Sequence, residues 1–185
     1  MDMKHRILSV AQKLIQQRGV NGFSYADIAK EVGVSKPSLH HHFSTKADLV
    51  ARLMEQYTEQ LTVYLEGVNQ THESASARLQ AYCKLYRDTL ESDRVCMGGI
   101  LSAEAPTLDP LIYPLLERFF SYQQQWLTQV LEQGQVSGEL RLLVPAETQA
   151  STIISTLQGA LIVSRVSKSK VVFDQSVEGL LSSLS

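Results

Sequence analysis

Between Lys36 and His42 the chain reads KPSLHHH, three consecutive imidazoles behind an ammonium, a pyrrolidine ring and a hydroxyl. Chelation from one helix needs imidazoles at i and i+4, because neighbouring side chains point about 100° apart. His40, His41 and His42 therefore cannot converge on one ion, and no metal site or cofactor is expected. Facing outward from a helix, the same groups are donors for phosphate oxygens and base edges. Lys36 at a helix start suits guanine O6 and N7, the Pro37 ring suits a thymine methyl, and Ser38 stands beside them. Ser24, Tyr25 and Lys46 are expected to donate to phosphates, which fix register but carry no sequence information. His42, three residues after Leu39, has the option of leaning on the core.

Those residues need a scaffold, and the flanking sequence supplies one. Ser24 is a good N-cap with Asp27 in the first turn, Ile28, Ala29 and Val32 recur at helical spacing, and Gly33 ends the helix. Only Gly33, Val34 and Ser35 separate it from a second helix, capped by Ser35 with Pro37 in its first turn. Leu39 and Phe43 turn inward onto Ile28 and Val32. Two short helices joined by a three-residue turn form a helix-turn-helix unit. Upstream, Ile7, Leu8, Ala11, Leu14 and Ile15 mark a supporting helix that Gly19 stops. Lys46 opens a longer helix with Leu49, Leu53, Tyr57, Leu61, Tyr64 and Leu65 in phase to about Val68. The reading is a DNA-binding domain over residues 1–46 and a second domain over 47–185, connected by that helix.

Charge divides the same way. Residues 1–52 hold eight basic and four acidic side chains, whereas the remaining positions hold nine and fifteen. The anion-seeking surface belongs to the N-terminus. Two cysteines, Cys83 and Cys96, make no disulfide framework. No apolar run reaches about 18 residues and the N-terminus lacks a secretory core, so a cytoplasmic protein without membrane association is expected. No nucleophile sits with a base, no glycine-rich phosphate loop occurs and no carboxylates pair, so no enzyme is expected.

The rest reads as helices. A fifth carries Leu79, Tyr82, Tyr86 and Leu90, a short sixth spans Val95 to Glu104, and Pro106 and Pro110 interrupt the chain. A long seventh runs from about Asp109 to Gln133, with Gly134 and Gly138 framing a loop; Pro145 opens an eighth and Val171 to Leu184 make a ninth. The fold class is all-α, with about nine helices. Tyr82, Tyr86, Phe119, Tyr122 and Trp126 form an aromatic set that serves as core or as a ligand wall. Cys96, between Arg94 and Met97-Gly98-Gly99, is a small buried hydrophobe or, with a cation favouring thiolate, a reactive group. Ser151, Ser155 and Gly159 lie four apart and make a ridge of small residues suited to close helix approach. Ile154, Ile162, Val177 and Leu181 add apolar surface beside it, more than two terminal helices need for one core.

The stretch GFSYADIAKEVGVSKPSLHHHFSTKADLV resembles the DNA-binding signature of TetR/AcrR-type transcriptional regulators, with glycine, serine, aromatic and lysine positions in register. The likeness runs from about residue 4 to residue 52. It departs at His40, where the family usually has Tyr, and at Phe23, where Thr is common. The resemblance implies a homodimer formed through a four-helix bundle of the last two helices of each subunit, binding an inverted-repeat operator in double-stranded DNA. It also implies an inducer cavity around the aromatic set, with Cys96 among its candidates because some family members sense electrophiles or oxidants through cysteine. The function expected is a ligand-responsive repressor released by a small-molecule effector. A constitutive DNA-binding module, whose second domain only dimerises or docks a protein, is the alternative; a helical carrier protein is a third.

Overall fold

A computed structural model describes residues 2–184. Nine α-helices and no strand occur among these residues, as the sequence periodicities require. In order they are α1 (Met3–Arg18), α2 (Tyr25–Val32), α3 (Lys36–His42), α4 (Lys46–Thr71), α5 (Ala75–Glu91), α6 (Met97–Ala103), α7 (Tyr113–Ser137), α8 (Ala146–Ser167) and α9 (Val171–Ser182). Two compact units result. One comprises the chain up to Glu59 together with Met97–Phe119; the other comprises Gln60–Cys96 and the chain from Phe120 onward.

In the first unit, α1 buries Ile7, Leu8, Ala11, Leu14 and Ile15, a stripe that recurs with the helical period. Gly19 ends it at φ +77°, and its N–H donates to the Ile15 carbonyl at 2.9 Å. A Cβ at Gly19 would also lie 2.5 Å from the Glu104 carboxylate, so both conformation and space demand glycine there. Met97-Gly98-Gly99 opens α6, and Gly98 is pressed under the Phe119 ring, where a Cβ would come within 2.4 Å of a ring carbon. That glycine serves close packing.

α7, which begins in the first unit and continues in the second, corrects the sequence reading at both ends. Pro110 opens a single 3-10 turn, with the Asp109 carboxylate accepting from the Leu111 N–H at 3.0 Å, so α7 begins at Tyr113. Gly134 lies inside the helix, not in a loop after it. Leu140 and Ala75 crowd that point, and a Cβ would sit 2.4 Å from Leu140 Cδ1 and 2.8 Å from Ala75 Cβ. Gly138, at φ +77°, does the stopping. α8 packs along α9, and the Arg87 guanidinium on α5 donates to Asp174 on α9 and to Glu91 on its own helix.

Candidate DNA-binding surface and the polar centre of the second unit

The turn between α2 and α3 follows from three residues. Gly33 adopts φ +78°, a conformation glycine takes without steric cost, and the N–H groups of Gly33 and Val34 both donate to the Ala29 carbonyl. Ser35 then caps α3, its hydroxyl accepting from the Ser38 N–H at 3.3 Å. Leu39 is wholly buried and is the one buried residue of α3; Phe43, just beyond, is buried too. Lys36, Pro37, His40 and His41 consequently face solvent, with Ser38 and His42 half-buried. The Lys36 ammonium engages no protein acceptor among the described residues. His40 is oriented from behind: its ring lies 4.7 Å from that of Tyr25, and its Nδ1 is 3.2 Å from the Ser44 carbonyl. A carbonyl only accepts, so Nδ1 carries the hydrogen and Nε2 points away.

Three residues expected on phosphates also have partners inside the unit. Tyr25 is buried, and its hydroxyl donates to the carbonyls of Phe43 (3.1 Å) and Thr45 (2.6 Å). Burial, helped by the Asp48 charge, pushes its phenol up to about 12. The Lys46 ammonium donates to the carbonyls of Val20 and Phe23 and lies 4.2 Å from the Phe23 ring centroid. Its burial lowers the pKa, against the opposing pull of Glu104 and Asp27. The Ser24 hydroxyl and N–H both donate to the Asp27 carboxylate at 2.7 Å, and these bonds hold that carboxyl below its usual range. These bonds tie the ends of α2 and α3 to their flanking loops, and the Lys46 ammonium, with three N–H groups, keeps one donor beyond the two carbonyls.

Sequence reasoning missed the residues that brace this arrangement. Arg6 donates from Nη2 to the Val32 carbonyl at 2.9 Å, satisfying an end of α2. Glu104, just past α6, accepts from the Val20 N–H at 2.6 Å and from the Asn21 side chain at 3.2 Å. Partners more than 25 positions apart leave no local signal. The Asp48 carboxylate, accepting from the Ser44 hydroxyl and the Thr45 N–H at the start of α4, was within local reach.

In the second unit Tyr82, Tyr86 and Trp126 do come together. The Tyr82 and Tyr86 hydroxyls lie 2.8 and 2.9 Å from Gln123 Oε1, which accepts from both, and the Tyr82 ring stacks on Trp126 at 5.7 Å. Burial drives the Tyr82 phenol far above its ordinary range. The Trp126 indole donates to Asn69 Oδ1 at 3.1 Å. Gln123 is the member that sequence reasoning missed, since an amide between aromatic positions reads as surface. Tyr122 is half-buried, while Phe119 packs with Tyr57 in the first unit at 5.4 Å between ring centres. Cys83 and Cys96 are both buried, and burial pushes the Cys83 thiol up to about 12.

Along α8, Ser151, Ser155, Gly159 and Ile162 are exposed on one side, with Val163 and Val166 beside them. Ile162 is 53% and Val166 83% exposed, and open space surrounds Gly159. Ile154 turns into its own core instead, one turn after the buried Ala150 and in line with the buried Leu157 and Leu161. Val177 and Leu181 on α9 are half-buried.

Two short helices across a glycine turn, with a polar face held outward by one buried leucine, define a helix-turn-helix protein. Residues 7–53 match "Bacterial regulatory proteins, tetR family", and residues 75–180 match "Tetracyclin repressor-like, C-terminal domain". The chain belongs to the TetR family of transcriptional regulators. It is 23% identical over 177 residues to the HTH-type transcriptional repressor DhaR of Mycobacterium sp. (strain GP1), a match spanning 94% of this chain and 87% of that protein. Its structure superposes with a TM-score of 0.95 on a TetR-family regulator from Agrobacterium tumefaciens, 29% identical, covering 99% of this chain and 97% of that one. A TetR regulator from Legionella pneumophila gives 0.91 at 26% identity, covering 100% and 98%. No helix among the described residues is long and apolar enough to cross a membrane.

Proposed function

We propose that this regulator is a homodimeric repressor that holds an inverted-repeat operator through α3 of each subunit and lets go when a small molecule binds its second domain. The observation carrying the reading is the outward face of α3, where Lys36, unpaired among the described residues, precedes Pro37, Ser38 and the oriented His40. Helix-turn-helix proteins read base edges from that part of the second helix. Self-association is supported by the exposed stripe of α8, whose small residues permit another helix to approach closely. An effector site is supported by the Tyr82–Tyr86–Gln123 centre, polar groups gathered among aromatic rings. An effector acts only by the difference in its affinity for the two states.

Selection of bound duplexes from a random pool tests this directly. The expected product is a palindrome whose half-sites are separated by whole helical turns. Recovery of no duplex at low ionic strength, or of a lone half-site bound by a monomer, overturns the reading. Operator binding that no compound in a broad panel alters would favour a constitutive module, whose second domain only dimerises or docks a protein.

A further inference from the structure

The end of α4, the first turn of α5 and the C-terminal half of α7 border an open cleft of about 270 Å³ in the second unit, lined by Asn69, Arg78, Trp126, Gln129, Val130 and Gln133. Arg78 is fixed across it. Its Nε donates to the His72 carbonyl at 2.9 Å and its Nη1 to Gln133 Oε1 at 2.7 Å, both neutral acceptors. Among the described residues no carboxylate pairs with this guanidinium, and no side chain of the lining is acidic. Two of its five donors are used, so Nη2 keeps its edge.

The amides around it are polarised toward the same chemistry. Asn69 Oδ1 accepts from the Trp126 indole, and Gln133 Oε1 accepts from Arg78. Each bond turns the amide's remaining NH₂ into the unused group, so the cleft offers donors and a positive charge with no compensating anion. A fixed guanidinium edge matches the two oxygens of a carboxylate. The volume suits a compact molecule.

The geometry points to a binding site for a small organic carboxylate, with Arg78 as its counter-ion and the Asn69 and Gln133 amides as further donors. Binding at this cleft stands on the contacts above; that such a ligand releases the operator rests on the proposed function. The site carries its own reporter, since Trp126 is the only tryptophan of the chain.

The test titrates the full-length protein with acetate, glycolate, succinate and benzoate while following Trp126 fluorescence, and repeats each titration with the corresponding neutral amide. The expected result is a saturable change with at least one acid, weakened by added salt, absent with its amide and weakened at least tenfold by Arg78→Gln. Arg78→Lys, which keeps the charge without the fork, should recover part of the affinity. Silence toward all four acids in the wild-type protein overturns the site, as does an amide that binds like its acid or an Arg78→Gln protein, folded by circular dichroism, that binds unchanged. The wild-type acid and amide comparison decides the matter even where a variant fails to fold. Saturable acid binding with no effect on DNA affinity would show that this cleft is not the effector site, and a protein that binds the acid yet holds no duplex in the acid's absence would sink the repressor reading alone.

Discussion

The outward faces of α3 and α8 are both left to solvent by the packing beneath them, yet they carry opposite chemistry. On α3 the outward groups are Lys36, Pro37, His40 and His41; on α8 they are Ser151, Ser155, Gly159, Ile162, Val163 and Val166. Charged and imidazole groups cost much to strip of water unless an opposite charge replaces it, and a nucleic-acid backbone does so while releasing its own counterions. Small and aliphatic groups gain by leaving water, at roughly 25 cal/mol per Å² buried. Exposure alone therefore says little about a helix; the solvation cost of what is exposed tells which partner it suits.

Ile162→Glu should break the α8 side of this comparison most sharply. An unpaired carboxylate in a dry helix contact costs about 3–5 kcal/mol, seen as dissociation in analytical ultracentrifugation, with operator affinity falling because two linked half-sites become one. A variant that remains dimeric would show that the stripe faces no partner. Leu39→Ala tests what holds α3 in place. Removing a fully buried leucine costs about 2–5 kcal/mol, read by urea unfolding, and should abolish DNA binding without altering the oligomeric state. Full operator affinity in that variant would refute the single-anchor account.

Lys36→Ala and Lys46→Ala sharpen the α3 side by contrast. The first should lose about 1–3 kcal/mol at one operator position and leave thermal stability alone. The second should lower stability, because the Val20 and Phe23 carbonyls lose their donor, and leave the salt dependence of the remaining folded protein unchanged. A lower salt slope for Lys46→Ala would return it to the phosphates. The smallest effect is at alkaline pH. The Tyr25 phenol titrates near 10 when unfolded and at about 12 when folded, so its share of stability is whole below pH 10 and is lost as pH rises toward 12. Tyr25→Phe should lose stability less steeply than wild type across that window; parallel curves would place the phenol in water.

Helix identities and the helix-turn-helix were legible because their determinants are local: caps at Ser24 and Ser35, a stop at Gly33, and Leu39 one turn before Phe43. The allocation of polar tips was not. Ser24, Tyr25 and Lys46 are expected on phosphates because their types fit, but the internal acceptors that Tyr25 and Lys46 also engage lie 18 to 26 residues away and leave no local signal. Gly134 misled for the same reason: a glycine that stops a helix and one that admits Leu140 look alike until the neighbour is in place. Among the aromatics, spacing grouped Phe119 with Trp126, but position along α7 sent it to Tyr57.

One feature of α3 bears on how such a protein diverges. With Leu39 the one buried residue of α3, substitutions at the exposed Lys36, Pro37 or His41 leave the core of the first unit untouched. If α3 reads the operator as proposed, the preferred DNA word can drift by single exchanges at those positions, each tolerated by an unchanged framework, so proteins with superposable backbones would be free to govern unrelated promoters.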